Sequence, residues 1–440
     1  MQIHSPIPDC DGVELSDNRE GLMSEPINTP IRTQGLISLP EIEFLEFASN
    51  YIDSISEILR PINLKIHDNP ELNYKEFIAH ETLTNFMKTQ KGWKVTPSAY
   101  GIATAFTAEY DSGKEGPVVS YNAEYDALTG IGNACGHNLI AICSVAASLA
   151  VAEAIDTLSL PGKVILFGTP AEEGGGGKIK LLEAGAYSEN NVDISLISHP
   201  GTVPASVLVR TNAYVNFKVG YFGKEAHAAA CPWEGINALD ALIVAYNALS
   251  VLRQQTQPGD IIQGHITNGG SAPNIIHAYA AGIFVVRALS KARLEVLKQK
   301  VDKCFEAGAG ATGATLKMTI LMGYDDHVPN KALGAVCRAA MNKLGEEIPT
   351  AELDLIRGAT QASTDQGNIS YAMPSLSLGF QIESEEGPHN PGFAKAARTQ
   401  KAHDAALKAG KALAVTGLMT LVDKKLLRAA KEEFRDIEVL

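Results

Sequence analysis

Residues 117–157 read PVVSYNAEYDALTGIGNACGHNLIAICSVAASLAVAEAIDT, and the class of the fold is decided inside them. The opening PVVSYNAEYDAL is apolar and β-branched enough to predict a buried strand, and LIAICSVAASLAVAEAI contains no breaker, which predicts a buried helix. Between the two stand Cys135 and His137, one residue apart at a strand-to-helix turn. A one-residue spacer lets a thiolate and an imidazole lean toward one point, and that pair suits zinc.

Working outward, the flanking segments keep alternating. GIATAFTAEY precedes this stretch; the strand KVILFGTP, a helix from about Lys178 and the strand DISLISHP follow it. Such alternation predicts an α/β sheet of parallel strands, and open α/β sheets bind ligands beyond the carboxyl ends of their strands. The metal-capable residues fall there repeatedly: Cys135 and His137 after one strand, Glu172 and Glu173 after KVILFGTP, and His199 after DISLIS. A later strand, SLSLGF, is followed within a short loop by His389. One thiol, three imidazoles and two carboxylates on one edge predict a shared metal centre.

Adjacent side chains at a strand end point differently, so Glu172 and Glu173 can divide two roles, one facing a metal and one facing the water above it. The following GGGGK is not a phosphate loop, because that pattern needs Gly where Glu172 stands and Ser or Thr where Ile179 stands. The glycines are expected to allow close backbone approach beneath the site.

Residues 1–39, with several prolines and no sustained period, read as an N-terminal tail. From Pro40 the apolar residues take helical spacing, which Pro61 is expected to interrupt, and a second helix is expected around HETLTNFMKTQKG. His67 and Glu76, in the polar connection HDNPELNYKEF, read as residues that cap and brace helices. Beyond Pro204 the texture changes to strand, helix, strand, strand, helix, strand, the order of a ferredoxin-like α+β unit inserted between about Arg210 and Gly323. The expected domains are therefore 40–210 with 324–440, and 211–323 between them.

A chain of 440 residues is long enough for two cores, and its formal net charge of −13 disfavours nucleic acid as a partner. Six irregularly spaced cysteines do not make a disulfide framework, which fits a reducing compartment. No apolar run is expected to reach the length of a membrane span, and the polar N-terminus has no signal-peptide pattern, so a cytoplasmic protein without a membrane partner is expected.

With these pieces placed, HDNPELNYKE, EYDALTGIGNACGHNLIA, TPAEEGGGG, SHPGT, GKEAHAAACPWEGINALDA, SAPNIIH, STDQGN and EEGPHNPGF resemble the motifs of the M20 family of metallopeptidases and amidohydrolases. The resemblance is to the branch of auxin-conjugate, hippurate and aminobenzoyl-glutamate hydrolases, and nearest to the aminoacylase-like dipeptidases. It implies a zinc-exopeptidase-like αβα sandwich as the catalytic domain, with the inserted unit as a lid and dimerisation domain. It further implies two divalent ions, zinc with manganese as the alternative, held by Cys135, His137, Glu173, His199 and His389. Glu172 would then be the general base. His227 would steady the oxyanion in the partner subunit's site, with Asn274 and Arg287 holding the substrate. Thr129, Asn133, Asn138 and His277 depart from the branch's usual residues without removing a ligand or the base.

The function expected is hydrolysis of the amide bond in an N-acyl amino acid or dipeptide-like small molecule by a homodimer. The alternatives are the same site run as amide-bond formation, and a catalytically silent homologue serving as a metal-stabilised binding module.

Overall fold

A computed structural model describes residues 39–437. The expected tail therefore lies outside the described residues, apart from Leu39, which opens α1 (Leu39–Asp68). Pro61 does not interrupt this helix as expected. Pro61 and Glu57, the residue whose carbonyl loses its donor, both lie on the exposed face, where water can replace the bond. On the other face Ile52, Leu59 and Ile66 are buried and hold the helix through the break. A second helix, α2 (Phe77–Lys88), follows.

The chain then enters its larger sheet through β1 (Lys94–Pro97), β2 (Phe106–Asp111) and β3 (Val118–Glu124), crosses in α3 (His137–Thr157), and returns in β4 (Lys163–Thr169). The short helices α4 (Gly177–Glu183) and α5 (Ala186–Glu189) lead to β5 (Ile194–Gly201).

Next come β6 (Ala213–Phe222), β7 (Ala226–His227), α6 (Ala238–Leu252), β8 (Ile261–Asn268), β9 (Ile275–Ile276), β10 (Tyr279–Ala288), α7 (Lys291–Thr312) and β11 (Thr315–Tyr324). Four of these strands form a separate antiparallel sheet in the order β11-β6-β10-β8, the arrangement of a ferredoxin-like unit. Its two helices cover one face, and Phe217, Phe284, Phe305, Leu242 and Val301 make a core of its own. The small ladder of β7 and β9 stands apart from that sheet.

The return path is α8 (Lys331–Lys343), α9 (Ala351–Arg357), α10 (Gln366–Ser370), β12 (Ser375–Gln381), α11 (Pro391–Ala397), α12 (Gln400–Val422) and α13 (Lys424–Ile437). It completes a six-stranded sheet in the order β1-β2-β4-β3-β5-β12. Strands β4, β3, β5 and β12 are parallel, as the alternation predicts. The β2 segment, expected to be parallel, runs antiparallel to β4 and carries β1 as an antiparallel edge strand. No crossover helix separates β2 from β3, so the chain cannot return to the same end of the sheet before β3 begins.

Helices α1, α3 and α12 pack on one side of the sheet, while Leu181, Tyr187 and Ile369 close the other against Ile165 and Phe167. This is a layered α/β architecture. The expectation about apolar runs needs correction: His137–Thr157 and Gln400–Val422 are long and apolar enough to cross a membrane by length and composition. Their most apolar windows are 94% and 78% buried inside the fold, which accounts for the composition. The five described cysteines are all free.

Candidate metal centre

β3 delivers its carboxyl end to the site with Glu124, and the loop beyond it carries Asp126, Cys135 and then His137 at the first turn of α3. Gly136 between the two ligand candidates has φ +80, and a Cβ there would stand 2.6 Å from Pro200 Cγ, so only glycine permits this approach. The buried Asp126 carboxylate accepts a hydrogen bond from His137 Nδ1 at 3.0 Å, which turns Nε2 toward the cluster. The other Asp126 oxygen accepts from the backbone N–H of Glu173 at 2.9 Å, which ties the turn after β4 to the same histidine.

Six groups converge on His137 Nε2 or on each other. Glu124 Oε2 lies 3.5 Å from it, and Glu172 Oε2 and Glu173 Oε1 each lie 3.9 Å away. His199, near the end of β5, donates from Nδ1 to the Pro200 carbonyl at 2.8 Å, so its free Nε2 faces Cys135 Sγ at 3.3 Å. His389, held at φ +67 by its N–H bond to the Ala134 carbonyl, brings Nε2 to 3.2 Å from Glu173 Oε1. Cys135, His137, His199, Glu172, Glu173 and His389 are thus brought together from four strand ends and their loops.

The donor set fits divalent cations. Cys135 belongs to two groups of possible ligands, one with His137 and His199 and one with Glu173 and His389, and the ligand atoms within each group lie within 4.8 Å of one another. His137 Nε2 and Glu124 Oε2 are buried without a hydrogen-bond partner, a state that costs about 1–3 kcal/mol per atom unless another group satisfies it. Burial pushes the Cys135 thiol up and the His199 imidazole down. A cation reverses the first and uses the second.

The neighbours Glu172 and Glu173 are driven apart. Burial, then the nearby Glu124 and Asp365 carboxylates, push the Glu172 carboxyl well above the usual range. Burial also raises Glu173, but the His389 hydrogen bond and the His137 imidazole outweigh it and hold Glu173 at about 2. The turn that carries both is clamped. Ala171, at φ +59, donates its N–H to Glu76 Oε1 at 3.0 Å, and Tyr74 donates its hydroxyl to the Gly175 carbonyl at 2.5 Å. Glu76, expected to cap and brace a helix, makes no side-chain cap bond to α2 and braces this turn.

Several residues of the centre carry no expectation from sequence. Lys178 is fully buried, with Nζ 2.5 Å from both Glu124 Oε1 and Asp365 Oδ1, so an ammonium already occupies the far side of the acidic cluster. Asp126, Asp365 and Tyr324 join it as groups that orient others. Asp126, Lys178 and Asp365 lie in the EYDAL, GGGGK and STDQGN motifs, which show composition and not contact, and Tyr324 lies in none of them.

The remaining candidates stand elsewhere. His227 and Asn274 share the small ladder: the Ala228 N–H bonds the Asn274 carbonyl at 3.0 Å, and Ile275 pairs with His227. His227 is exposed, and its Nδ1 accepts from the N–H groups of Ala229 and Ala230, both at 3.2 Å. Arg287 lies near the end of β10, donating to Ser363 Oγ at 2.9 Å with its guanidinium over the Tyr214 ring. Among the described residues no hydrogen bond or ion pair joins His227, Asn274 or Arg287 to the cluster.

Comparison with known proteins decides the lineage. The chain is 40% identical to mouse Xaa-Arg dipeptidase over 413 residues, covering 91% of this chain and 94% of that protein. The chain belongs to the M20 peptidase family. Its residues 210–312 match the family's peptidase dimerisation domain. It is also 25% identical to one of the p-aminobenzoyl-glutamate hydrolase chains of Escherichia coli, across 90% of this chain and 95% of that one. A dinuclear metal-binding M20 peptidase from Bacillus subtilis shares the fold, with a TM-score of 0.63 at 18% identity over 84% of this chain and 99% of that chain. This M20 protein is accordingly a hydrolase, a metal-dependent amidohydrolase or dipeptidase.

Proposed function

We propose that the protein cleaves the amide bond of a dipeptide or N-acyl amino acid with two divalent ions, zinc or in its place manganese, and with Glu172 as general base. Cys135, His137, Glu173, His199 and His389 would hold the ions. When bound, the ions polarise the scissile carbonyl and make water more acidic. Glu172 receives a proton from the attacking water at its carboxylate and returns it to the departing amine. The observation that carries this reading is the division of labour between neighbours. Glu173 is committed to His389, whereas among the described residues no hydrogen bond holds the Glu172 carboxylate, which still lies 3.9 Å from His137 Nε2. A silent binding module would have no use for such a group.

The two amides on His227 Nδ1 support its role as an oxyanion donor, because they leave the ring proton on Nε2. Its exposure, and its lack of any bond to the cluster of its own chain, support delivery to a partner's site through residues 211–323 acting as lid and dimerisation domain. Asn274 beside it, and the unused donors of Arg287, suit a substrate carbonyl and carboxylate. Five free cysteines among the described residues, one of them a ligand that must stay reduced, fit the cytoplasm.

The mouse relative's name directs the test to dipeptides ending in arginine, alongside N-acyl amino acids and aminobenzoyl-glutamate. Metal-loaded protein should release the amine from at least one class, lose this on chelation and recover it with zinc or manganese. Metal-loaded protein that hydrolyses none of them would refute the proposal.

A further inference from the structure

The inserted sheet meets the turn after β4 at the end of β11, and two neighbouring strand ends line up behind that contact. Tyr214 near the start of β6 pairs across the sheet with Arg287 of β10 on one side and with Tyr324 of β11 on the other. The three side chains form a row. The Arg287 guanidinium lies 4.9 Å from the Tyr214 ring centre, and the Tyr214 and Tyr324 rings meet edge to face at 5.1 Å and 86°. The row ends on the turn itself: Tyr324 donates its hydroxyl to the Glu172 carbonyl at 2.5 Å and accepts the Gly176 N–H at 3.2 Å.

A buried phenol needs hydrogen-bond partners, and this one finds both on the backbone that presents Glu172. That backbone is not relaxed without help, because Ala171, a residue with a Cβ, sits at φ +59. Glu76 and Tyr74 hold the turn from its own domain. Tyr324 holds it from the last residue of β11, where the inserted sheet rejoins the larger one. A shift of the inserted sheet about this junction therefore moves the group that fixes the Glu172 carbonyl. At the other end of the row, Arg287 bonds Ser363, two residues before the Asp365 that pairs with Lys178.

We propose that Tyr324 is a positioning residue for Glu172, and that the row Arg287, Tyr214, Tyr324 transmits the placement of the inserted sheet, and of whatever Arg287 binds, into the catalytic turn. The catalytic half of this inference rests on Glu172 as the base; the mechanical half does not. Tyr324→Phe separates them, since it deletes one hydroxyl and keeps the ring. Hydrogen exchange of a peptide spanning residues 171–177 in metal-loaded, substrate-free protein should show the Gly176 amide exchanging about 10-fold faster or more. With a substrate that the wild type hydrolyses, kcat should fall about 10- to 100-fold while KM and metal content stay near wild type. Arg287→Lys and Tyr324→Phe should be non-additive in kcat, as expected for members of one row.

Unchanged exchange overturns the positioning contact whether or not the protein is an amidohydrolase. Faster exchange with unchanged kcat, or additive kcat effects, overturns the transmission. Loss of metal alongside kcat assigns Tyr324 to the fold alone and overturns the proposal too. If Tyr324→Phe does not fold, Tyr214→Leu leaves the hydroxyl contact in place and removes the link, so kcat should fall while metal content stays near wild type, and an unchanged kcat overturns the transmission. A wild type without amidase activity refutes Glu172 as base, and the exchange experiment still reads the contact.

Discussion

Lys178 shows what a single residue decides here. Its ammonium is enclosed with Glu124 and Asp365 at 2.5 Å each, and Glu172 completes an acidic group whose oxygens lie within 4.8 Å of one another. Removing one partner of a buried ion pair leaves uncompensated charge and typically costs about 3–5 kcal/mol. Lys178→Met should lower the unfolding free energy of the metal-free protein by about that amount in denaturant titration, and a loss below about 1 kcal/mol would show that the carboxylates are neutralised by other means. The ligand candidates were legible in the sequence because each flanks a strand, and strand ends share an edge. Lys178 was not, because Asp365 lies 187 residues away and only the folded chain brings the two together. Tyr324 was hidden for the same reason: nothing near it in sequence marks its bond to the Glu172 carbonyl.

Among the elements, the turn between β4 and α4 has the narrowest tolerance. A Cβ on Gly177 would stand 1.8 Å from the Pro170 carbonyl oxygen, a backbone atom that cannot swing aside. Gly177→Ala should therefore cost about 1–3 kcal/mol in thermal or denaturant unfolding and reduce bound metal, since Glu173 must move with the turn. Wild-type stability and metal content would mean that the turn is softer than its contacts indicate. The sequence did mark these glycines as permitting close approach, and the βαββαβ order of the inserted unit was equally legible, since its strands and helices alternate clear periods. Two elements were misread for physical reasons. Helix α1 continues through Pro61 because its opposite face is buried, a tertiary effect that outweighs the local break. Strand β2 runs antiparallel because no helix separates it from β3, and spacing in sequence does not reveal which neighbour a strand will choose.

At the scale of the molecule, the two sheets divide the chemistry. The six-stranded sheet gathers the ligand candidates and Glu172, whereas the four-stranded unit and its ladder present His227 and Asn274 at an exposed surface. No list of residues along one chain shows whether such a surface completes its own site or another's. The match of residues 210–312 to a peptidase dimerisation domain favours the second. The direct test mixes two variants that damage one site from opposite sides, Glu172→Gln and His227→Ala. Alone, Glu172→Gln should keep its metals and lose about 10²- to 10⁴-fold in turnover, and His227→Ala about 10²- to 10³-fold. After subunit exchange, each heterodimer holds one site with both groups intact, so the mixture should recover about a quarter of wild-type turnover. Mixed variants that exchange subunits yet stay as inactive as either parent would contradict a site shared between two chains.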